Sequence, residues 1–507
     1  MPPLSSSQTA NFSASYAELG AFFSRAIAPT PVAAPQWIAW NVELANKLGL
    51  SGLTQDEALD IFSGNECPSW AHPIAQAYAG HQFGHFVPQL GDGRAVLLTE
   101  LTTREPKAMF DLQLKGSGPT PFSRGGDGRS ALGPVLREYL VSEAMHALGV
   151  PTTRALAAIA TGEWVYRDEA LPGAVFTRVA QSHIRVGTFQ YAAVHGGPEH
   201  VKILADYVIA RHFPALLEIK PDTLRYRQFF HSVVQAQMKL VAEWQRVGFI
   251  HGVMNTDNTS ICGDTIDYGP CAFMDVFRRN QTFSSIDRHG RYRYENQPRI
   301  AHWNMARFAE TLLPLIHKNE SDAVTHLTAL LQNFEQDYQS VWLQCMARKF
   351  GIGVTENSDT QARIHNLIEQ FLTWLEVNER DFTCSFTALT DCYLYHTEIT
   401  ADLICTALEA DPNDEVLTQW IDEWLSHLST QQSEQITERM THANPRRIPR
   451  NHQIAAAIFE AEHDGDLSRF HRLLRAWASP YADIEEFRDL EQPPAPDQQV
   501  TRTFCGT

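Results

Sequence analysis

His251-Gly252-Val253-Met254-Asn255-Thr256-Asp257-Asn258, followed by Asp267-Tyr268-Gly269, is the stretch that decides the fold. Its spacing is that of a kinase-type catalytic loop, H-G-D-x-x-x-x-N. Asp267-Tyr268-Gly269 stands where such proteins keep a D-F-G triplet whose Asp binds metal. One residue departs from the pattern. Val253 occupies the position of the base, and the only nearby carboxylate is Asp257, beside the Asn. A site with both metal ligands and a displaced base suits chemistry other than ordinary γ-phosphoryl transfer.

Upstream, Met109 to Lys115 alternates, with Phe110, Leu112 and Leu114 on one side and Asp111, Gln113 and Lys115 on the other, which predicts a strand. A second strand is expected over 94–101. Lys115 ends its strand at a Gly-rich loop, 116–128, where a kinase lysine reaches the nucleotide phosphates. Ser130 is the expected N-cap of a helix running to Leu148, with Gly149 as its stop. Glu138 and Glu143 both lie on that helix, and periodicity leaves either free to hold Lys115. In Leu90-Gly91-Asp92-Gly93-Arg94, backbone N–H groups at Gly91 and Gly93 and the charge of Arg94 suit phosphate oxygens. Arg178 and Arg185 offer guanidinium groups that match phosphate geometry. A short hairpin over 261–266 is expected to bring Asn258 and Asp267 to one Mg²⁺, an ion content with one or two protein oxygens plus phosphates and water. Taken singly, each has a plainer reading as a tight turn, a solvated strand-end lysine or a surface arginine. Their order along one chain is that of a kinase-type protein.

That order predicts an α+β, protein-kinase-like fold of two lobes, a small β-rich N-lobe and a large α-helical C-lobe. The expected divisions are an N-terminal extension over 1–77, the N-lobe over 78–180, the C-lobe over 181–490 and a tail over 491–507. Helices are expected over 229–247, 304–317, 323–350, 362–376 and 416–428. The net charge of −18 argues against non-specific binding of nucleic acid or an anionic membrane. No apolar run reaches the ~18 residues of a membrane span, and the start resembles neither a secretory signal nor an Arg-rich leader. A cytoplasmic monomer is the expectation. The eight Cys include no C-x-x-C pair, which disfavours a zinc ribbon or a thioredoxin-like site.

Four longer motifs carry a resemblance. They are Tyr78-Ala79-Gly80-His81-Gln82-Phe83-Gly84, the run from Leu112 to Arg124, the run from His251 to Asn258, and Asn444-Pro445-Arg446-Arg447-Ile448-Pro449-Arg450-Asn451-His452. With the ending Thr503-Phe504-Cys505-Gly506-Thr507, the chain resembles the bacterial, Cys-containing branch of the selenoprotein O family, from about residue 30 to the terminus. The resemblance implies protein adenylylation (AMPylation), in which AMP passes from ATP to Ser, Thr or Tyr hydroxyls of proteins. ATP is bound end for end relative to active kinases. It further implies nucleotide contacts from Gly91, Gly93, Arg94, Lys115, Asp127, Gly128, Arg178 and Arg185, with Glu138 as the partner of Lys115. Asn258 and Asp267 would hold Mg²⁺ or Mn²⁺, and Asp257 would accept the proton. Some relatives carry a Cys in the loop after the metal Asp, able to pair with the C-terminal Cys. The equivalent here is Phe283, which removes that implied partner of Cys505. The rival readings are a conventional kinase using Asp257 as an unusual base and a non-catalytic, nucleotide-binding pseudokinase scaffold.

Overall fold

The alternating stretch that ends at Lys115 lies in the middle of an antiparallel sheet. In the computed structural model, which describes residues 11–103 and 107–504, eight of its strands are β1 (Asn11–Ser13), β2 (Ser24–Ala26), β3 (Gln36–Trp40), β4 (Ile74–Gln76), β5 (Ala95–Thr102), β6 (Met109–Lys115), β7 (Arg154–Tyr166) and β8 (Ala170–Ala180). Their order is β2-β4-β5-β6-β8-β7-β3. β1 pairs with β5, and the two-residue strand Ser130–Ala131 pairs with β8. Residues before 78 thus supply strands to the same sheet. They also supply two helices, Val42–Lys47 and Gln55–Ser63, whose apolar residues join Leu112, Leu114, Val175 and Val179 in one buried cluster. That cluster takes the apolar face of β6. Its polar face carries Gln113, opposite Arg178 in register, and Lys115, opposite Phe176.

Helix α1 (Leu132–Ala147) packs on β7 and β8 and stops where Gly149 turns left-handed, at φ 76°. Its start differs from expectation. Ser130 is paired with Ala174 in the sheet, so Ala131 is the N-cap and makes no side-chain cap. The first-turn amide of Gly133, which has no intrahelical partner, instead donates to Glu462 Oε1 at 2.8 Å, a carboxylate from a distant helix.

From about residue 186 the described chain is mostly helical. The long helices α2 (Asp222–Arg246) and α3 (Gln297–Ile316) pack together behind the loops that carry the site. The helix expected over 323–350 is two, Glu320–Gln332 and Phe334–Lys349, parted at Asn333. The hairpin expected over 261–266 does not close on itself. Ser260 bridges Arg185 antiparallel and Thr265 bridges Thr152 in parallel, so the segment is tied at both ends to the sheet's connections. The local strand pair is Phe249–Ile250 with Ala272–Phe273. The C-terminal tail returns to the same region, where Thr503 bridges Ser284. Cys505 lies outside the described residues. No helix among the described residues is long and apolar enough to cross a membrane.

Candidate active site

A cavity of about 630 Å³ lies between the polar face of the sheet and the loops at 251–270. Gly91, Gly93, Arg94, Lys115, Asp127, Gly128, Arg178, Arg185, Asp257, Asn258 and Asp267 all line it. Glu138 does not line it and acts through its neighbours.

Three cations converge on Asp267. Lys115 Nζ is 2.6 Å from Glu138 Oε2 and 3.1 Å from Asp267 Oδ1. Arg178, almost wholly buried, pairs with Glu138 Oε1 and lies 2.7 Å from Asp267 Oδ1. Arg185 Nη1 reaches Asp267 Oδ2 at 3.2 Å and the Asp257 carbonyl at 2.8 Å, with its guanidinium 4.6 Å over the Tyr78 ring. Burial alone would raise the Asp267 carboxyl, but Arg178, Lys115 and Arg185 outweigh it and hold the group well below the usual range. Asp267 sits at φ 65°, a left-handed conformation that Asp tolerates better than most residues. Glu143, the other candidate for Lys115, is taken elsewhere: its carboxylate accepts two bonds from Arg154, both at 2.8 Å, and one from Asn41.

Asp257 is in a different setting. It is 7% exposed, and its Oδ1 is buried with no hydrogen-bond partner among the described residues. Gln82 Nε2 approaches Oδ2 at 3.4 Å. Burial pushes the carboxyl up to about 6, only partly opposed by Arg185. The loop that carries it is anchored by His251, whose buried Nε2 donates to the Ile266 carbonyl at 2.9 Å while its Nδ1 accepts the Val253 amide at 3.3 Å. The His at the head of the motif therefore fastens the 251–258 loop to the residue before Asp267.

Asn258 donates Nδ2 to the Val253 carbonyl at 3.1 Å, and its amide oxygen has no protein partner among the described residues. That oxygen and the Asp267 carboxylate are the hard donors facing the cleft. No group of three or more His, Cys, Asp and Glu gathers into a metal site among the described residues. An amide oxygen and a carboxylate at a cleft lined by Lys115, Arg178 and Arg185 fit Mg²⁺ or Mn²⁺ shared with nucleotide phosphates, and do not fit zinc.

On the sheet side, close packing explains the glycines. A β-carbon on Gly91 would meet the Phe122 ring at 2.4 Å, and one on Gly128 would meet the Gly118 carbonyl at 2.0 Å. Asp127 is at the cleft mouth, ion-paired with Arg167 at 2.9 Å. Tyr78, Gln82, Arg124, Arg129 and Arg167 also line the cavity and were not singled out by spacing. The motif Tyr78–Gly84 held the signal for two of them. It forms the hairpin Gly80–Gln82 with His85–Val87, laid against the 251–258 loop.

A deep cationic cluster beside a carboxylate with one unpartnered oxygen is the equipment of an enzyme that handles a nucleotide, and the comparisons place the chain among the nucleotidyltransferases. Residues 6–478 match the family model described as protein adenylyltransferase SelO. Relatives named protein nucleotidyltransferase YdiU include that of Rhizobium rhizogenes, 49% identical over 499 residues and covering 98% of this chain and 97% of the relative. The one from Rhizobium meliloti is 50% identical over 501 residues, covering 98% and 99%. The one from Geobacillus kaustophilus is 48% identical over 500 residues, again covering 98% and 99%. The chain belongs to the SelO protein adenylyltransferase family.

Proposed function

We propose that this protein transfers AMP from ATP to Ser, Thr or Tyr hydroxyls of other proteins, with the nucleotide bound triphosphate-inward on a kinase-like, two-lobed scaffold. The N-lobe would be residues 78–180 and the C-lobe 181–490. The observation that carries the reading is the separation of charge. Lys115, Arg178 and Arg185 form a cationic floor, while Asp257 stands apart with an unsatisfied Oδ1. A pyrophosphate leaving group needs cations at its β- and γ-phosphates, and the floor supplies them. The α-phosphorus then faces Asp257.

In the reaction the acceptor oxygen attacks the α-phosphorus. The bond from that phosphorus to the α–β bridging oxygen breaks, and pyrophosphate leaves with the electron pair. The acceptor's proton goes to Asp257, the group that takes the place of the missing base at Val253. Arg185 spans both parts, holding the Asp257 backbone and Asp267 at once. Asn258 and Asp267 would hold a divalent cation, which would supply charge neutralisation at the phosphates.

Incubation with ATP labelled at the α- or the γ-phosphate tests the proposal. Label from the α position is expected in protein, lost in Asp257→Asn. Label entering protein only from the γ position would mean an ordinary kinase and overturn it.

A further inference from the structure

Beside the nucleotide cleft runs a second groove of about 640 Å³. Phe83 and Ile286 line both, so the two spaces share a wall. The groove's own lining is basic: Arg288, Arg291 and Arg299, with His85 and His289. None of the three arginines forms an ion pair among the described residues, although the chain carries 59 acidic residues against 41 Lys and Arg. Arg288 and Arg299 are exposed. Arg291 stacks 4.9 Å over Trp303, and its Nε is buried with no acceptor among the described residues. The one carboxylate in the lining, Asp287, is buried and spent, accepting the Arg291 and Tyr292 amides at 2.8 Å each. Apolar contact is available from Ile286, 51% exposed, and from the half-buried Trp303.

The groove is also braced to the base. Asn255, two residues before Asp257, accepts at one oxygen from the Phe83 amide at 2.9 Å and from the Tyr292 hydroxyl at 2.7 Å. One side chain thereby fixes the groove's two edges to the loop that carries Asp257. Unpaired arginines are costly to retain beside one another without a counter-charge. A carboxylate-bearing ligand relieves that repulsion and gains bidentate contacts.

From this we infer that the groove is the acceptor site of the proposed reaction and that it selects a protein segment in which the hydroxyl residue is flanked by Asp or Glu. The assignment rests on the proposed AMP transfer and adds its substrate class. The flanking carboxylates lie on Arg288, Arg291 and Arg299, a neighbouring apolar side chain packs on Ile286 and Trp303, and the hydroxyl enters the cleft past Phe83 towards Asp257.

The experiment uses three otherwise identical peptides, each with one Tyr flanked by Glu, Gln or Lys. Both direct binding to the ATP-analogue-loaded protein and transfer of α-label are measured. The Glu-flanked peptide is expected to bind about tenfold tighter than the Gln-flanked one and to show a KM lower by the same factor. In the double variant Arg288→Glu, Arg299→Glu, the preference is expected to shift to the Lys-flanked peptide, with the Kd for ATP as the control. Both positions are exposed, so the variant keeps its fold, checked by its thermal midpoint. Equal binding of all three peptides by the unaltered protein, or the same preference in the double variant, would overturn the groove assignment. So would a single-stranded oligonucleotide that outcompetes the Glu-flanked peptide. Acid-selective binding without any α-label transfer would support the groove and count against the proposed reaction.

Discussion

A β-carbon on Gly80 would fall 2.4 Å from Asp257 Oδ1 and 2.8 Å from its Cγ. The hairpin that contains Gly80 is bonded to the 251–258 loop at two points beside this contact. The His81 amide donates to Thr256 Oγ1 at 2.7 Å, and the Phe83 amide to Asn255 Oδ1 at 2.9 Å. Neither the hairpin nor the carboxylate has room to yield. Gly80→Ala is therefore expected to displace Asp257, the proposed base, and lower kcat by about 10²-fold, since misplacement of roughly 1 Å has that effect. ATP affinity should be retained. Steady-state kinetics with a labelled acceptor protein, beside ATP binding by calorimetry, would check it. Unchanged kcat would show that Asp257 is not the proton acceptor or is not held by this contact.

Lys115 and Arg178 share Glu138 and Asp267, yet their loss should differ. Arg178 has a side chain only 2% exposed and bonds both carboxylates, so Arg178→Ala leaves buried charge without its main partner. The expected cost is about 3–5 kcal/mol, the range for breaking a buried ion pair from one side. Lys115 is 14% exposed, and after Lys115→Ala the same carboxylates still have Arg178. A smaller loss of about 1–2 kcal/mol is expected, with turnover strongly reduced because a phosphate-facing cation is gone. Denaturant midpoints for the two variants would decide. Equal destabilisation would mean that Lys115 carries structure as much as charge.

The same network shows what the sequence could and could not disclose. The strands at 95–102 and 109–115 and the helix ending at Gly149 were legible, because their signals are local periodicity and a left-handed stop. The choice between Glu138 and Glu143 was not. It turns on Arg154, which lies on a strand beyond the helix and draws Glu143 away. Ser130 has the chemistry of an N-cap, but pairing with Ala174 outweighed it, and a glutamate from residue 462 took over the task. The stretch 261–266 has hairpin composition, but Arg185 and Thr152 claim its ends. Residues 11–76 gave little strand signal, since their short strands are held by register with longer neighbours. For the site, spacing located the two loops and the lysine. It did not reveal that Gly80 and Gln82 abut Asp257, because a close approach between residues so far apart in sequence leaves no local trace.

Acid should expose a second buried cluster. Arg211 lies 2.6 Å from Asp111 Oδ1 and 2.5 Å from Glu100 Oε1, and His183 Nδ1 is 2.9 Å from Asp111 Oδ2. Burial would raise the Asp111 carboxyl, but Arg211 and the His183 contact outweigh it and the group is depressed. A depressed carboxylate contributes stability in full above its unfolded value of about 3.9 and loses it as pH falls through the folded value. Arg211→Met is expected to be less stable than the parent by about 3–5 kcal/mol at neutral pH. The gap should narrow below about pH 4, where the parent's Asp111 protonates as pH falls towards its depressed value and the contribution secured by Arg211 is lost. Urea midpoints at neutral and acid pH would show it. A gap independent of pH would assign the loss to packing alone.

The C-terminal tail braces the loop after Asp267 without a covalent link in the described residues. The Thr503 amide donates to the Phe283 carbonyl at 2.8 Å, its carbonyl accepts the Ser285 amide at 2.9 Å, and its hydroxyl donates to the Pro270 carbonyl at 2.6 Å. Phe283 and Ser285 are thus joined to the tail by a short strand pairing. Pro270 follows Gly269, whose carbonyl accepts Arg137 Nε at 2.9 Å, so the segment that follows Asp267 is held from the helix side and from the tail side at once. Thr503→Val keeps the shape and the two backbone bonds and removes the hydroxyl. It leaves a buried carbonyl unsatisfied, at a cost of about 1–3 kcal/mol. A terminal segment can open without global unfolding, so that cost should appear locally. Faster amide exchange at Ser285 is expected with an unchanged global midpoint, together with a several-fold fall in kcat. Thr503→Ser should restore both. Unaltered exchange at Ser285 in the Val variant would mean that the backbone pairing alone holds the tail and that the hydroxyl contributes nothing to the loop.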